Sequence, residues 1–161
     1  MQKKTLIIAI IILIVDQVSK IIINNTLTKQ LVIIPNFFYL TLYHNDGVAW
    51  SLLSSHRALI IIITIVALVV LYRFMYCFKN NTRNNVAFGL LLGGLSGNLL
   101  DRLISGSVTD FLDFLIFKYD FPVFNVGDIA IVFGVLLLIY AIIKGEDTSE
   151  DNSTKKPSKN W

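Results

Sequence analysis

Two carboxylic acids, Asp110 and Asp128, are the side chains of this 161-residue sequence whose spacing best suits acid–base work. Asp128 opens a long apolar run, with Asn125 three residues before it. Asp110 lies 128 − 110 = 18 residues earlier, shortly after another such run ends near Gly106. If the two runs are antiparallel neighbours, both carboxyls sit at similar depth, and the connection is ample to bring them together. Two carboxyls meeting in a poorly hydrated place cannot both ionise easily, so the pair shares a proton. The ionised partner can then take a proton from water while the protonated one polarises a carbonyl. Such chemistry hydrolyses an amide with no metal, no thiol and no serine–histidine pair. A plainer account stands beside it: Asp128 as an acid favoured by a helix dipole, and Asp110 as a loop residue.

The remaining polar residues inside apolar runs each need a reason, because ionisable groups there are expensive. Asp16 and Lys20 are spaced i, i+4 with the acid first, the favourable order for a helical ion pair. They read as a structural pair near one end of the first apolar run, able to hold the loop that follows. Gly89, Gly93 and Gly97 recur every four residues, with Gly94 widening the face, which lets helices approach closely. Asn98 and Arg102, again i, i+4, lie near that ridge and so point into a bundle rather than at lipid. An asparagine and an arginine there can donate hydrogen bonds to a peptide or a headgroup. Asp101 is placed to hold the Arg102 guanidinium or to cap neighbouring backbone.

Composition says what must position these groups. The chain is 55% hydrophobic and 16% charged, against roughly 45–50% and 25% for soluble domains. Its mean hydropathy is +0.67. A soluble domain this small could not bury so much apolar surface. One cysteine, Cys77, excludes a disulfide framework and a cysteine-based metal site. Two histidines, His44 and His56, argue against a histidine-rich one, so neither metal nor cofactor is expected. The net charge of +3 points to basic membrane flanks rather than to nucleic acid.

Four stretches reach spanning length: about 5–23, 58–78, 86–104 and 126–143. All four are expected to be helices, since backbone amides in lipid must be satisfied within the segment. The expected fold is an all-α polytopic membrane protein: a four-helix domain over 1–144, then a disordered cytoplasmic tail over 145–161. Lys3 and Lys4 before an apolar run resemble a signal peptide, but no small-x-small cleavage pattern follows, so the run reads as a retained span. Lysines and arginines divide nine to five between the two sides, which predicts both termini in the cytoplasm. Segments 24–57 and 105–125 then face outward. The strand formers Phe37–Tyr43, followed by the Asn45-Asp46-Gly47 turn, predict a small extracytoplasmic β-element between helices 1 and 2, over about 27–54. In 105–125 the aromatics Phe111, Phe114, Phe117, Tyr119 and Phe121 suit an interfacial belt.

Five segments taken in order resemble the bacterial lipoprotein signal peptidases, the type II signal peptidases. They are Asp16–Lys20, Asn45–Trp50, Gly93–Arg102, Val108–Phe111 and Phe124–Asp128. The resemblance covers roughly residues 5–143 and implies a membrane-embedded aspartic endopeptidase of the bacterial cytoplasmic membrane, working as a monomer at the outer leaflet. Its partners would be membrane lipids and diacylglyceryl-modified prolipoproteins, cut just before the lipidated lipobox cysteine. Asp110 and Asp128 match the family's catalytic dyad. Asn98, Arg102 and Asn125 match polar positions lining that site. Asn45, Gly47 and Ala49 match the outer-loop motif that helps hold substrate, and Asp16 and Lys20 match the first-span motif. One position departs: Gly127 stands where the family usually has alanine, which predicts a more flexible start to the fourth span.

Two other classes use similar residues. A small proton-coupled transporter also places Asp, Asn and Arg in its spans, but here the charges gather near one face and no inverted repeat is visible. A non-catalytic factor that binds lipidated clients would bind them without cutting.

Overall fold

The computed structural model describes residues 3–47 and 56–146. Four helices are long and apolar enough to cross a membrane: α1 (Lys3–Thr26), α2 (Arg57–Phe74, continued by a 3-10 turn over Met75–Cys77), α3 (Thr82–Ile104) and α4 (Val126–Ile143). Ile7, Ile11 and Ile14 on α1, Ile62, Val66 and Val69 on α2, and Val132 and Leu136 on α4 are exposed, as lipid-facing surfaces must be.

The most polar of the four, α3, is the central one, packing against α1, α4 and α2. Its small residues explain how. A Cβ at Gly89 would lie 2.6 Å from Ile8 Cγ2, one at Gly93 would lie 2.7 Å from the Ala9 carbonyl, and one at Gly97 would run into the Asp16 carboxylate. The four-residue ridge therefore seats α1. Gly94, on the adjoining face, meets α4 instead: a Cβ there would strike the Gly127 carbonyl oxygen.

A four-stranded antiparallel sheet sits at one end of the bundle in the order β1-β2-β3-β4. β1 (Leu31–Ile34) and β2 (Phe38–Asn45) lie between α1 and α2, while β3 (Val108–Ile116) and β4 (Tyr119–Asp120) lie between α3 and α4. The second pair corrects the sequence reading, which placed only an aromatic belt in 105–125. Two of those aromatics pack within the sheet: Phe111 is buried, and Phe114 stacks on Phe38 at 4.5 Å and on Phe124 at 5.7 Å between ring centroids, while Phe117, Tyr119 and Phe121 stay exposed. β2 and β3 pair Phe38 with Phe114 and Asn45 with Val108, with a register shift between Leu40 and Tyr43 that ends by setting Tyr43 opposite Asp110. Phe117 and Lys118 both take positive φ, 50° and 67°, the backbone of a two-residue hairpin turn.

The opposite end is closed by a Schellman turn after α4. Gly145, at φ 62°, donates to the Ile142 carbonyl and Glu146 N–H donates to that of Ala141. Glu146 then pairs with Arg83 and accepts from Asn81, while its carbonyl accepts from Lys79 N–H at 2.9 Å. The Asn81 hydrogen bond, with Arg83 beside it, holds the Glu146 carboxyl below the usual glutamate range. Gly145 and Glu146, grouped with the tail on composition, thus belong to the folded body. Residues 147–161 lie outside the described residues.

Candidate active site

α4 begins with a capping box. The Asn125 side chain accepts from Asp128 N–H at 3.0 Å, and the Asp128 carboxyl accepts from Asn125 N–H at 3.2 Å. The helix start is therefore capped reciprocally, with Gly127 inside the box. The Gly127 N–H is itself held, 2.8 Å from Asp16 Oδ1. Asp128 takes the plain role of an acid at a helix N-terminus and a second role besides. Its other oxygen accepts from Asn98 Nδ2 at 2.8 Å.

Asp110 comes from β3 and is 2% exposed. Its two oxygens accept from Asn125 Nδ2 at 2.6 Å and from Asn45 Nδ2 at 3.0 Å. Asn125 Nδ2 also reaches Asn98 Oδ1 at 3.1 Å. A continuous path therefore runs from Asp110 through Asn125 and Asn98 to Asp128. The orientations of both amides follow from what lies behind them. Lys20 Nζ, a donor with no lone pair to offer, sits 2.9 Å from Asn98 Oδ1. That turns the Asn98 amide nitrogen towards Asp128. Asn125 Oδ1 is claimed by the Asp128 N–H, which turns its nitrogen towards Asp110.

Burial pushes the Asp110 carboxyl up to about 6. The hydrogen bond from Asn45 pulls against that rise, the nearby Asp128 charge adds to it, and Asn125 and Lys20 oppose it. A carboxyl in that range exchanges its proton near neutral pH, as a general acid or base requires.

Lys20 pairs with Asp16 at 2.8 Å, the pairing predicted from spacing, and also with Asp101 at 3.0 Å. Asp101 does not hold Arg102. It accepts from Thr109 N–H at 3.2 Å and from Gln17 Nε2 at 2.9 Å. The Arg102 guanidinium donates instead to the Gly47 carbonyl at 2.6 Å and the Asn98 carbonyl at 3.3 Å. Gly47 N–H in turn donates to Asn45 Oδ1 at 3.0 Å, so the amide that holds Asp110 is oriented by the turn after it. Ala49 lies outside the described residues. Gln17 and the backbone of Thr109 had no role assigned from sequence. An amide inside an apolar span was the available signal for Gln17, since such a group needs a partner.

Asp110, Asp128, Asn98, Asn45 and Arg102 all line one cavity of about 910 Å³. Its floor is apolar, with Ile60 from α2, Leu95 from α3 and Ile131 and Val132 from α4, and Tyr43, Tyr119 and Phe121 stand towards the sheet. The cavity can take an extended peptide whose carbonyls meet the carboxyls while its apolar side chains lie between helices. Among the described residues no group of three or more His, Cys, Asp or Glu is arranged to hold a metal ion.

Residues 8–144 match the family model described as signal peptidase (SPase) II. A lipoprotein signal peptidase of Staphylococcus haemolyticus (strain JCSC1435) is 46% identical over 149 residues, covering 91% of this chain and 94% of that protein. One from Staphylococcus aureus is 39% identical over 154 residues, covering 94% of each. Among solved structures, a bacterial membrane enzyme determined by the in meso method at 2.3 Å resolution superposes with a TM-score of 0.79 at 38% identity, over 98% of this chain and 94% of that one. A second, at 1.9 Å resolution, gives 0.77 at 40% identity over 87% and 92%.

Proposed function

This chain belongs to the signal peptidase II family, and from that premise we propose that it frees prolipoproteins of their signal peptides, with Asp110 and Asp128 as the dyad that activates water. Membership makes it a hydrolase of the aspartic peptidase type. The substrate is a prolipoprotein whose lipobox cysteine already carries diacylglycerol, and the bond cut is the one before that cysteine. The observation that carries this reading is the path Asp110–Asn125–Asn98–Asp128 at the wall of one cavity.

One carboxyl of the pair is protonated and the other is not. Water between them gives a proton to the ionised carboxylate as its oxygen attacks the scissile carbonyl carbon. The protonated partner donates to the carbonyl oxygen. The dyad then returns a proton to the cysteine nitrogen as the C–N bond breaks. Asn98 and Asn125 orient the carboxyls. Arg102 holds substrate carbonyls: it is buried, and its Nε finds no partner among the described residues. Asn45, Gly47 and Ala49 belong to the loop that meets substrate, and Asp16 and Lys20 support the dyad from behind.

Lipid partition suits such a substrate. Each buried CH₂ of the two acyl chains contributes about 0.8 kcal/mol, so the membrane supplies much of the binding and sets the depth of cleavage. The excess of lysine and arginine at the termini and at the α2–α3 turn supports an orientation with both termini in the cytoplasm. The sheet and the dyad then face the outer leaflet of the bacterial cytoplasmic membrane, and the enzyme acts as a monomer.

The test uses pure protein and a diacylglyceryl-modified lipobox peptide, with release of the signal segment as readout. Asp110→Asn and Asp128→Asn are each expected to abolish release, and a chelator to leave it unchanged. Near-normal turnover in either variant removes that aspartate from the dyad. Strong inhibition by the chelator replaces the dyad with a metal mechanism.

A further inference from the structure

We propose that Gln17 and Asp101 are positioning residues: with Asp16 and Lys20 they form a bridge behind the dyad that grips the main chain immediately before each catalytic aspartate and so sets the distance between them. The inference rests on the dyad reading above.

The geometry has a symmetry that no pairwise view shows. Asp16 Oδ1 accepts from the N–H of Gly127, the residue before Asp128. Asp101 Oδ2 accepts from the N–H of Thr109, the residue before Asp110. Each gripping carboxylate is then tied to the other through the same two groups. Lys20 Nζ lies 2.8 Å from Asp16 and 3.0 Å from Asp101. Gln17 Nε2 lies 3.2 Å from Asp16 Oδ2 and 2.9 Å from Asp101 Oδ1, with the Gly97 carbonyl a further acceptor at 3.2 Å.

Lys20 is the cation placed between the two carboxylates, with buried Arg102 acting on Asp101 from farther off, so the two acids depend on neutral donors as well. Asp16 is wholly buried and Asp101 is 9% exposed. Without further donors the two acids would repel and splay. Gln17 supplies neutral donors to both, so they stay at bridging distance without a second charge. It is also the one bridge member that touches no group bonded to the dyad, whereas Lys20 contacts Asn98 directly. Replacing it therefore alters the bridge and leaves the hydrogen bonds of Asp110 and Asp128 in place.

Around the pair stand Asp16 and Lys20 from α1 and Arg102 and Asp101 from α3, and the same cavity is lined by Asp113 from β3, Asp120 from β4 and the tyrosines Tyr43 and Tyr119. If the bridge sets the distance, loosening it weakens the coupling between the two carboxyls, and the bell of kcat/KM against pH narrows. A role in stability alone moves neither limb.

The experiment compares full-length Gln17→Met, which keeps the length and loses the donors, with Gln17→Asn, which keeps the donors and loses the reach. Both are assayed on the lipidated lipobox peptide beside Asp110→Asn. Gln17→Met is expected to lose on the order of tenfold or more in kcat with KM within about twofold, because small misplacements of catalytic groups are costly. Its pH bell should narrow. Gln17→Asn should fall in the same direction by less, and covers the case in which Gln17→Met does not fold. Parental kcat and bell width in both variants, or a fall in yield and melting temperature alone, overturns the proposal. Turnover surviving in Asp110→Asn overturns the dyad reading instead.

Discussion

Asn125 caps the helix that carries Asp128 and, through the other end of the same amide, donates to Asp110 at 2.6 Å. One side chain thus fixes where the fourth helix begins and where the two acids stand relative to each other. The two jobs use different atoms and can be separated. Asn125→Ser keeps an oxygen able to accept from Asp128 N–H but has no amide to offer Asp110. It should melt below the parent, since the Asp110 and Asn98 oxygens lose a buried donor, but above Asn125→Ala, while kcat/KM falls by about 10² or more. Asn125→Ala loses both, adding about 1 kcal/mol of destabilisation for the cap. Thermal melting beside the cleavage assay distinguishes the two.

Asn45 donates to Asp110 from the end of β2 and holds its carboxyl down against burial. Asn45→Ala removes that opposition, so the limb of the kcat/KM profile due to Asp110, near pH 6 in the parent, should move to higher pH. A limb that stays in place would show that Asp110 is not the group titrating there.

The raised Asp110 carboxyl also leaves a mark on stability. Its value in the fold, about 6, lies above that of an unfolded aspartate, so the folded state binds more protons between the two. This group therefore makes the fold less stable as pH rises from about 4 to above 6. Asp110→Asn cannot titrate. The stability of the parent relative to the variant should be greater at pH 4.5 than at pH 7.5, by on the order of 2 kcal/mol. Denaturation of both proteins at the two pH values gives the difference.

Much of the fold is legible in the sequence because membrane spans announce themselves through uninterrupted apolar residues. The i, i+4 pair Asp16 and Lys20 is legible for a similarly local reason. The third partner, Asp101, is not, because it joins Lys20 across a gap of 81 residues that only packing closes. The strand β3 was hidden in Val108–Ile116 because it is buried along its first half and loses strict alternation. Its partner β2 belongs to a different inter-helix segment. Of the two roles open to Asp101, the structure shows the backbone one, at Thr109 N–H, rather than a hold on Arg102: consecutive residues on a helix point about 100° apart. The glycine ridge is readable as a packing surface, but that Gly94 faces α4 while Gly89, Gly93 and Gly97 face α1 depends on how the helices cross.

The Gly94–Gly127 crossing is tight enough to test. A Cβ at Gly94 strikes backbone, so Gly94→Ala should separate α3 from α4 and cost about 1–3 kcal/mol. At Gly127 a Cβ would lie 3.0 Å from Asn125 Oδ1, 3.0 Å from Asp16 Oδ1 and 3.1 Å from the Gly94 carbonyl oxygen, tight contacts but none as close as the one at Gly94. Gly127→Ala should be the milder change in melting temperature. Equal losses in the two would place the strain elsewhere.

Asp16 on α1 meets Gly127 on α4, 111 residues later, and the sheet draws strands from the α1–α2 and the α3–α4 connections. On the dyad reading, then, a nascent chain owns no cutting machinery until α4 has left the ribosome and entered the bilayer. If Asp110 and Asp128 are the dyad, a chain that stops short of α4 is an inert one.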